Sequence, residues 1–176
     1  MQDTDLFMEL AAIAGVFVGF GALIAVRRGG PTEPFEVAYT RGMVAIGVLA
    51  VIAALAPVTL GFFDLAEHQI WALSSALVLL GWFVMFAAMA RTPEYRANAV
   101  EMLEADRTRP RWLVVVEGAV WVLYILAAFI APIVIVLRLA GELEAALYFA
   151  AVVLILLGAG WSLLRLVFAQ RGPAAA

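Results

Sequence analysis

The chain contains no cysteine and no lysine. Without cysteine it forms no disulfide, no thiolate nucleophile and no thiolate metal site. All eleven basic residues are arginine. Lysine codons are A-rich and most arginine codons G/C-rich, so this bias points to a G+C-rich bacterial genome. Charge of either sign is scarce. Only 14% of the 176 residues are charged, against about a quarter in a soluble domain. The net charge of −3 includes no basic patch, which leaves nothing for a nucleic acid to bind. There is one histidine, His68, so a haem held by two histidines is excluded. Ser74 and Ser75 sit within the third span without a histidine there to activate them. No nucleophile elbow, HExxH helix or glycine-rich phosphate loop occurs. The sequence therefore offers no catalytic residues, no cofactor and no metal, and reads as a non-enzyme.

What is abundant is apolar surface. The chain is 66% hydrophobic, too much for a buried core and enough for a lipid-facing one. About 20 apolar helical residues cross a bilayer core of ~30 Å. Five segments qualify: 6–26, 43–63, 70–90, 112–139 and 145–169. They run continuously rather than alternating and are rich in alanine and leucine, which favours helix. Helix also satisfies its own backbone in lipid. The expected fold is an all-α integral membrane protein, a five-helix bundle forming one domain over 1–176. The start, "MQDTDLF", is acidic. A cleavable signal peptide needs a positive start, so the first span is expected to persist.

Arginine placement orients the spans. Nine arginines (27, 28, 41, 91, 96, 107, 109, 111 and 171) fall on one side, and only Arg138 marks the other. The positive-inside rule then puts the N-terminus outside and the C-terminus in the cytoplasm of a bacterial inner membrane. In "GGPTEPFEV", Thr32 caps and Pro34 enters the first turn, so the second helix starts near Glu33, ahead of its span. Thr92 and Pro93 repeat the pattern. Tyr95, Ala99, Met102 and Leu103 share one face, which predicts an amphipathic cytoplasmic helix over 93–106.

Glu117 stands six residues inside the fourth span. A carboxylate there is costly and needs a partner. Arg165 lies six residues inside the fifth span from Arg171, as Glu117 does from Arg111. Both groups are then ~9 Å inside the same interface. The short "AGELE" connection makes the two helices antiparallel neighbours, so Glu117 and Arg165 are expected to pair. The alternative is that Arg165 snorkels to the headgroups. Trp121 and Trp161 lie four residues from the pair and would roof it, while Trp71 and Trp112 read as interface anchors. Toward the other face, Glu9 and Arg138 stand at matched depth, either paired or simply at the headgroup boundary.

Three further features carry expectations. Ala11, Gly15 and Gly19 recur at spacing four, a stripe suited to close helix packing within the chain or with another chain. Pro57 and Pro132 each free one carbonyl and favour a kink, either ordinary bending or the wall of a vestibule. Asp64, Glu67 and His68 would share a face if helical, although polar residues at a water interface need no special role. The functional expectation is an oligomeric channel or carrier for protons or small ions. The alternative is a non-catalytic accessory or structural subunit of a larger membrane complex. The expected partners are the lipid bilayer and either a second copy or other membrane proteins.

Overall fold

The computed structural model describes residues 4–27, 34–93, 95 and 111–169. Within its helices it leaves out the side chains of 25–27, 34–39, 111, 113, 114, 116–118, 120 and 165–169. Five helices follow one another: α1 (Thr4–Arg27), α2 (Pro34–Leu60), α3 (Glu67–Arg91), α4 (Arg111–Val136) and α5 (Glu144–Ala169). A 3-10 turn, Gly141–Leu143, leads into α5. No strand occurs among the described residues. Four helices (α1, α2, α3 and α5) are long and apolar enough to cross a membrane, as in a helical membrane protein. In α4 the apolar stretch among the described residues is the shorter Trp121–Val136. Most of the expected amphipathic helix over 93–106 lies outside the described residues.

The helix ends follow from local chemistry. α2 reaches back to Pro34, whose missing amide costs nothing in a first turn. At the start of α3 the Ala66 amide donates to Gln69 Oε1 at 3.0 Å, which fixes the entry. At its end the Thr92 hydroxyl donates back to the Ala88 carbonyl at 2.8 Å. Pro93 follows and holds Thr92 out of the helical region (φ −88°, ψ 120°). α4 closes on an unusual residue. Arg138 has φ 58°, its amide donates to the Ile135 carbonyl, and the Leu139 amide donates to that of Val134. This is a Schellman closure with an arginine where glycine is usual.

Helices α2, α3, α4 and α5 form a ring in which each packs against the next, and α2 closes it against α5. α1 lies outside the ring in the furrow between α2 and α5. α2 thus touches three helices. Its buried residues explain how: Gly47, Ala50, Ala53, Ala54 and Ala56 present almost no side chain. In lipid no solvophobic force drives helices together, so close backbone approach must do it. The starts of α1, α3 and α5 share one end with the acids Asp5, Glu9, Asp64, Glu67, Glu142 and Glu144. The opposite end carries Arg27 and Arg41; we call these the acidic and arginine ends. Large apolar side chains such as Val16, Phe20, Leu80, Phe83 and Leu123 stay more than half exposed, the pattern of a bundle facing lipid.

The glycines that make close contacts are not those of the spacing-four stripe. A Cβ at Gly15 or Gly19 would meet nothing within 4 Å; that face of α1 points away from the bundle. The α1–α2 contact runs instead through Gly47, where a Cβ would stand 2.9 Å from Val18 Cγ2 and 3.6 Å from the Ala14 carbonyl oxygen. Gly47→Leu should therefore lower the melting temperature in detergent, by the ~1–3 kcal/mol typical of an overpacked contact. Gly15→Leu should leave it unchanged. Arg138→Gly should raise it. Relief of a left-handed arginine, ~1–2 kcal/mol, exceeds the entropy a new glycine costs, roughly 0.5–1 kcal/mol. Equal melting for Gly47→Leu and wild type would show that α1 and α2 do not meet there.

Candidate functional site

The buried chemistry concentrates toward the acidic end, on α5. Glu144 opens this helix and Tyr148 follows one turn later on the same face. Tyr148 is fully buried, held by Trp71 of α3 and Phe7 of α1 at ring separations of 5.7 and 6.0 Å. Phe149 meets Phe7 edge-on. These rings tie the starts of three helices into one aromatic cluster, a favourable arrangement for offset and tilted pairs.

The Tyr148 hydroxyl has a specific task. It donates to the Ala53 carbonyl of α2 at 2.7 Å. Ala53 lies four residues before Pro57, so its carbonyl is the one that Pro57 deprives of a helical amide. A side chain from α5 thus replaces the bond the proline removed. Ser74 approaches the same hydroxyl without reaching hydrogen-bond geometry. Sequence reasoning found Pro57 and the freed carbonyl but missed Tyr148. The available signal was a lone tyrosine inside an otherwise apolar helix.

Above this cluster a cleft of about 420 Å³ opens at the acidic end. Its lining joins the start of α3 (Glu67, His68, Trp71) to the turn and start of α5 (Gly141, Glu142, Glu144, Ala145). The Glu144 side chain is nine-tenths buried, with only 9% of its surface exposed. It makes no ion pair or side-chain hydrogen bond among the described residues. Three carboxylates and one imidazole line the space, with no arginine. A concave wall of one sign concentrates cations. No group of three ligating side chains stands close enough for a metal ion among the described residues. Asp64 is not part of this arrangement. It precedes α3 in irregular backbone and is exposed, so the helical face shared with Glu67 and His68 does not form.

Below the cleft, unpartnered polar atoms continue inward. The hydroxyls of Ser74 and Ser75 on α3, the Trp82 indole N–H and the Tyr124 hydroxyl are all buried without a hydrogen-bond partner. Between the serines and Trp82 the interior is apolar, with Val78, Val152 and Ile155 fully buried. Tyr124 lies directly over Gly158 of α5, where a Cβ would collide with its hydroxyl. Trp121 meets Tyr124 edge-on at 5.3 Å.

The remaining predicted residues are distributed as follows. Glu117 lies on α4 and Arg165 on α5, two helices that pack together; their side chains are outside those described. Glu9 and Arg138 are both exposed at the acidic end, and no ion pair joins them. Pro57 and Pro132 are both fully buried inside their helices. The chain matches no family model, no curated protein and no solved structure.

The Tyr148 bond can be isolated by a double-mutant cycle. Tyr148→Phe should destabilise by about 0.6–2 kcal/mol, between the mean for polar contacts in membranes and the cost of an unpaired carbonyl. In a Pro57→Ala background the restored amide can take the Ala53 carbonyl, so the same tyrosine change should cost less. Melting in detergent of the four proteins measures this. Equal losses in both backgrounds would mean that the hydroxyl is not compensating for the proline.

Proposed function

We propose that this chain is a small membrane carrier or channel for protons or small monovalent cations, built on five spans with the acidic end outside. The observation that carries the reading is the cleft with its buried, unpaired Glu144, above interior hydroxyls that have no protein partner. Ionisable groups inside a membrane protein commonly mark ion or proton paths. Unsatisfied buried hydroxyls are the groups that internal water serves. In this arrangement the cleft gathers cations at Glu67, Glu142 and Glu144. Ser74, Ser75 and Tyr148 form the first interior station. Val78, Val152 and Ile155 close the path below it, so passage requires α3 and α5 to shift against each other.

Toward the arginine end the reading adds a Glu117–Arg165 pair. Tyr124 of α4 lies against Gly158 of α5. Glu117 comes seven residues before Tyr124, and Arg165 seven after Gly158. Seven residues are close to two helical turns. Antiparallel register therefore carries the contact from the first couple to the second. The pair would hold the two helices together below the path and, if it opened, would offer a second carboxylate to a passing proton.

A second reading, an accessory subunit of a larger membrane complex, is favoured by the open Gly15–Gly19 face of α1. Small residues turned outward suit a helix from another chain.

Flux separates the two readings. Purified protein in liposomes carrying an internal pH dye should dissipate an imposed proton gradient faster than empty liposomes. Glu144→Gln should slow this severalfold without changing melting, and Ser75→Val should slow it too. Protein-containing liposomes as tight as empty ones would end the carrier reading and leave the accessory one.

A further inference from the structure

A groove separate from the cleft runs along the outside of the ring between α2 and α3, from the arginine end inward. It encloses about 580 Å³. Its walls are apolar: Val48 and Ile52 on α2 face Leu77, Leu80 and Val84 on α3, and all five are substantially exposed. Gly81 opens the middle, where a Cβ would collide with Leu49 on the floor. Among the described residues no acidic one lines it. At the arginine end its mouth carries Arg41, exposed, together with Thr92 and Tyr95.

Two properties identify what fits there. The first is length. On α2 the lining runs from Arg41 to Ile52, eleven residue steps, and on the α3 side from Leu77 to Thr92, fifteen. At 1.5 Å per residue that is about 17 to 23 Å, close to half of a bilayer ~40–45 Å thick with its headgroups. The groove thus runs from headgroup level to the bilayer midplane, the depth of one leaflet. A transmembrane helix from a second copy would continue past the midplane, where this groove stops. The second is charge. Among the described lining residues one is charged, the cation Arg41, and it stands at the end where a headgroup would be. Tyr95 adds a hydrogen-bond donor. Its phenol is pushed up to about 12, chiefly by burial with Arg41 pulling the other way, so it stays protonated at neutral pH.

We propose that this groove holds one acyl chain of an anionic phospholipid, with the phosphate against Arg41 and Tyr95. Arginine's planar fork suits a phosphate, and the exposed side chain leaves room for the headgroup.

The test is native mass spectrometry of the full chain in detergent, with equal amounts of phosphatidylglycerol and phosphatidylcholine of the same acyl composition. Phosphatidylglycerol adducts should dominate by about fivefold, the ratio expected from one arginine near an anionic headgroup. Arg41→Gln should bring the ratio to near one, and Arg41→Lys should keep most of it. Arg91→Gln, an exposed arginine outside the lining, should change nothing. Val84→Trp and Leu80→Trp each fill the groove from an exposed wall position and should remove adducts of both lipids, with melting unchanged. The proposal fails if Arg41→Gln keeps the preference, or if both tryptophan variants still carry lipid. It also fails if the wild type is a dimer that the tryptophans split, which would give the groove to a second copy.

Discussion

The bond from the Tyr148 hydroxyl to the Ala53 carbonyl organises this bundle. Ala53 lies inside α2, the helix that touches α1, α3 and α5. Pro57 leaves that carbonyl without its helical amide, and in lipid no water is at hand to take its place. The phenol that takes this carbonyl comes from α5. In reaching it Tyr148 packs at a tilt against Trp71 and Phe7, so four helices, α1, α2, α3 and α5, meet around one hydrogen bond. The bland faces of α2 follow from the same demand. A bulkier residue at Ala50 or Ala54, both fully buried, would force a helix packed on α2 outward.

The acidic and arginine ends divide the polar chemistry between them. One end gathers carboxylates around a cleft and leaves Glu144 buried without a counter-charge. The other holds Arg41 at the rim of an apolar groove. Between them the interior carries isolated hydroxyls broken by a fully apolar layer at Val78, Val152 and Ile155. Such a layer blocks a continuous wire in this conformation. A carrier that alternates between two arrangements needs such a layer, and a passive pore would be shut by it.

Much of the helical framework was legible because it depends on local composition. Long alanine- and leucine-rich runs leave the backbone no other stable form in lipid, and Pro34 and Pro93 mark helix limits by simple sterics. What could not be read was rotation. Gly15 and Gly19 have the spacing of a packing stripe, but spacing does not say which way the stripe faces, and here it faces outward. The close contact uses Gly47, which stands in no stripe. The cleft was half legible. Glu67 and His68 were visible as a polar pair, while their meeting with Glu142 and Glu144 depends on how α3 and α5 pack. Asp64 stays at the same end but outside α3, because the helix starts only at Glu67, where Gln69 caps it.

The long reach of the Tyr148 bond has a consequence for how the molecule is made. Ala53 and Tyr148 are separated by 95 positions, and chains emerge from the ribosome N-terminus first. α1 and α2 can join as a hairpin as soon as both are inserted, since their contact is local. The Ala53 carbonyl, however, stays unpaired in the membrane until α5 arrives. During that interval the half-built bundle is open along the face of α2 that α5 will cover. Helix α5 therefore acts as a closing bolt, and a chain that stops before it exposes a polar seam to lipid, which membrane quality control can recognise as unfinished.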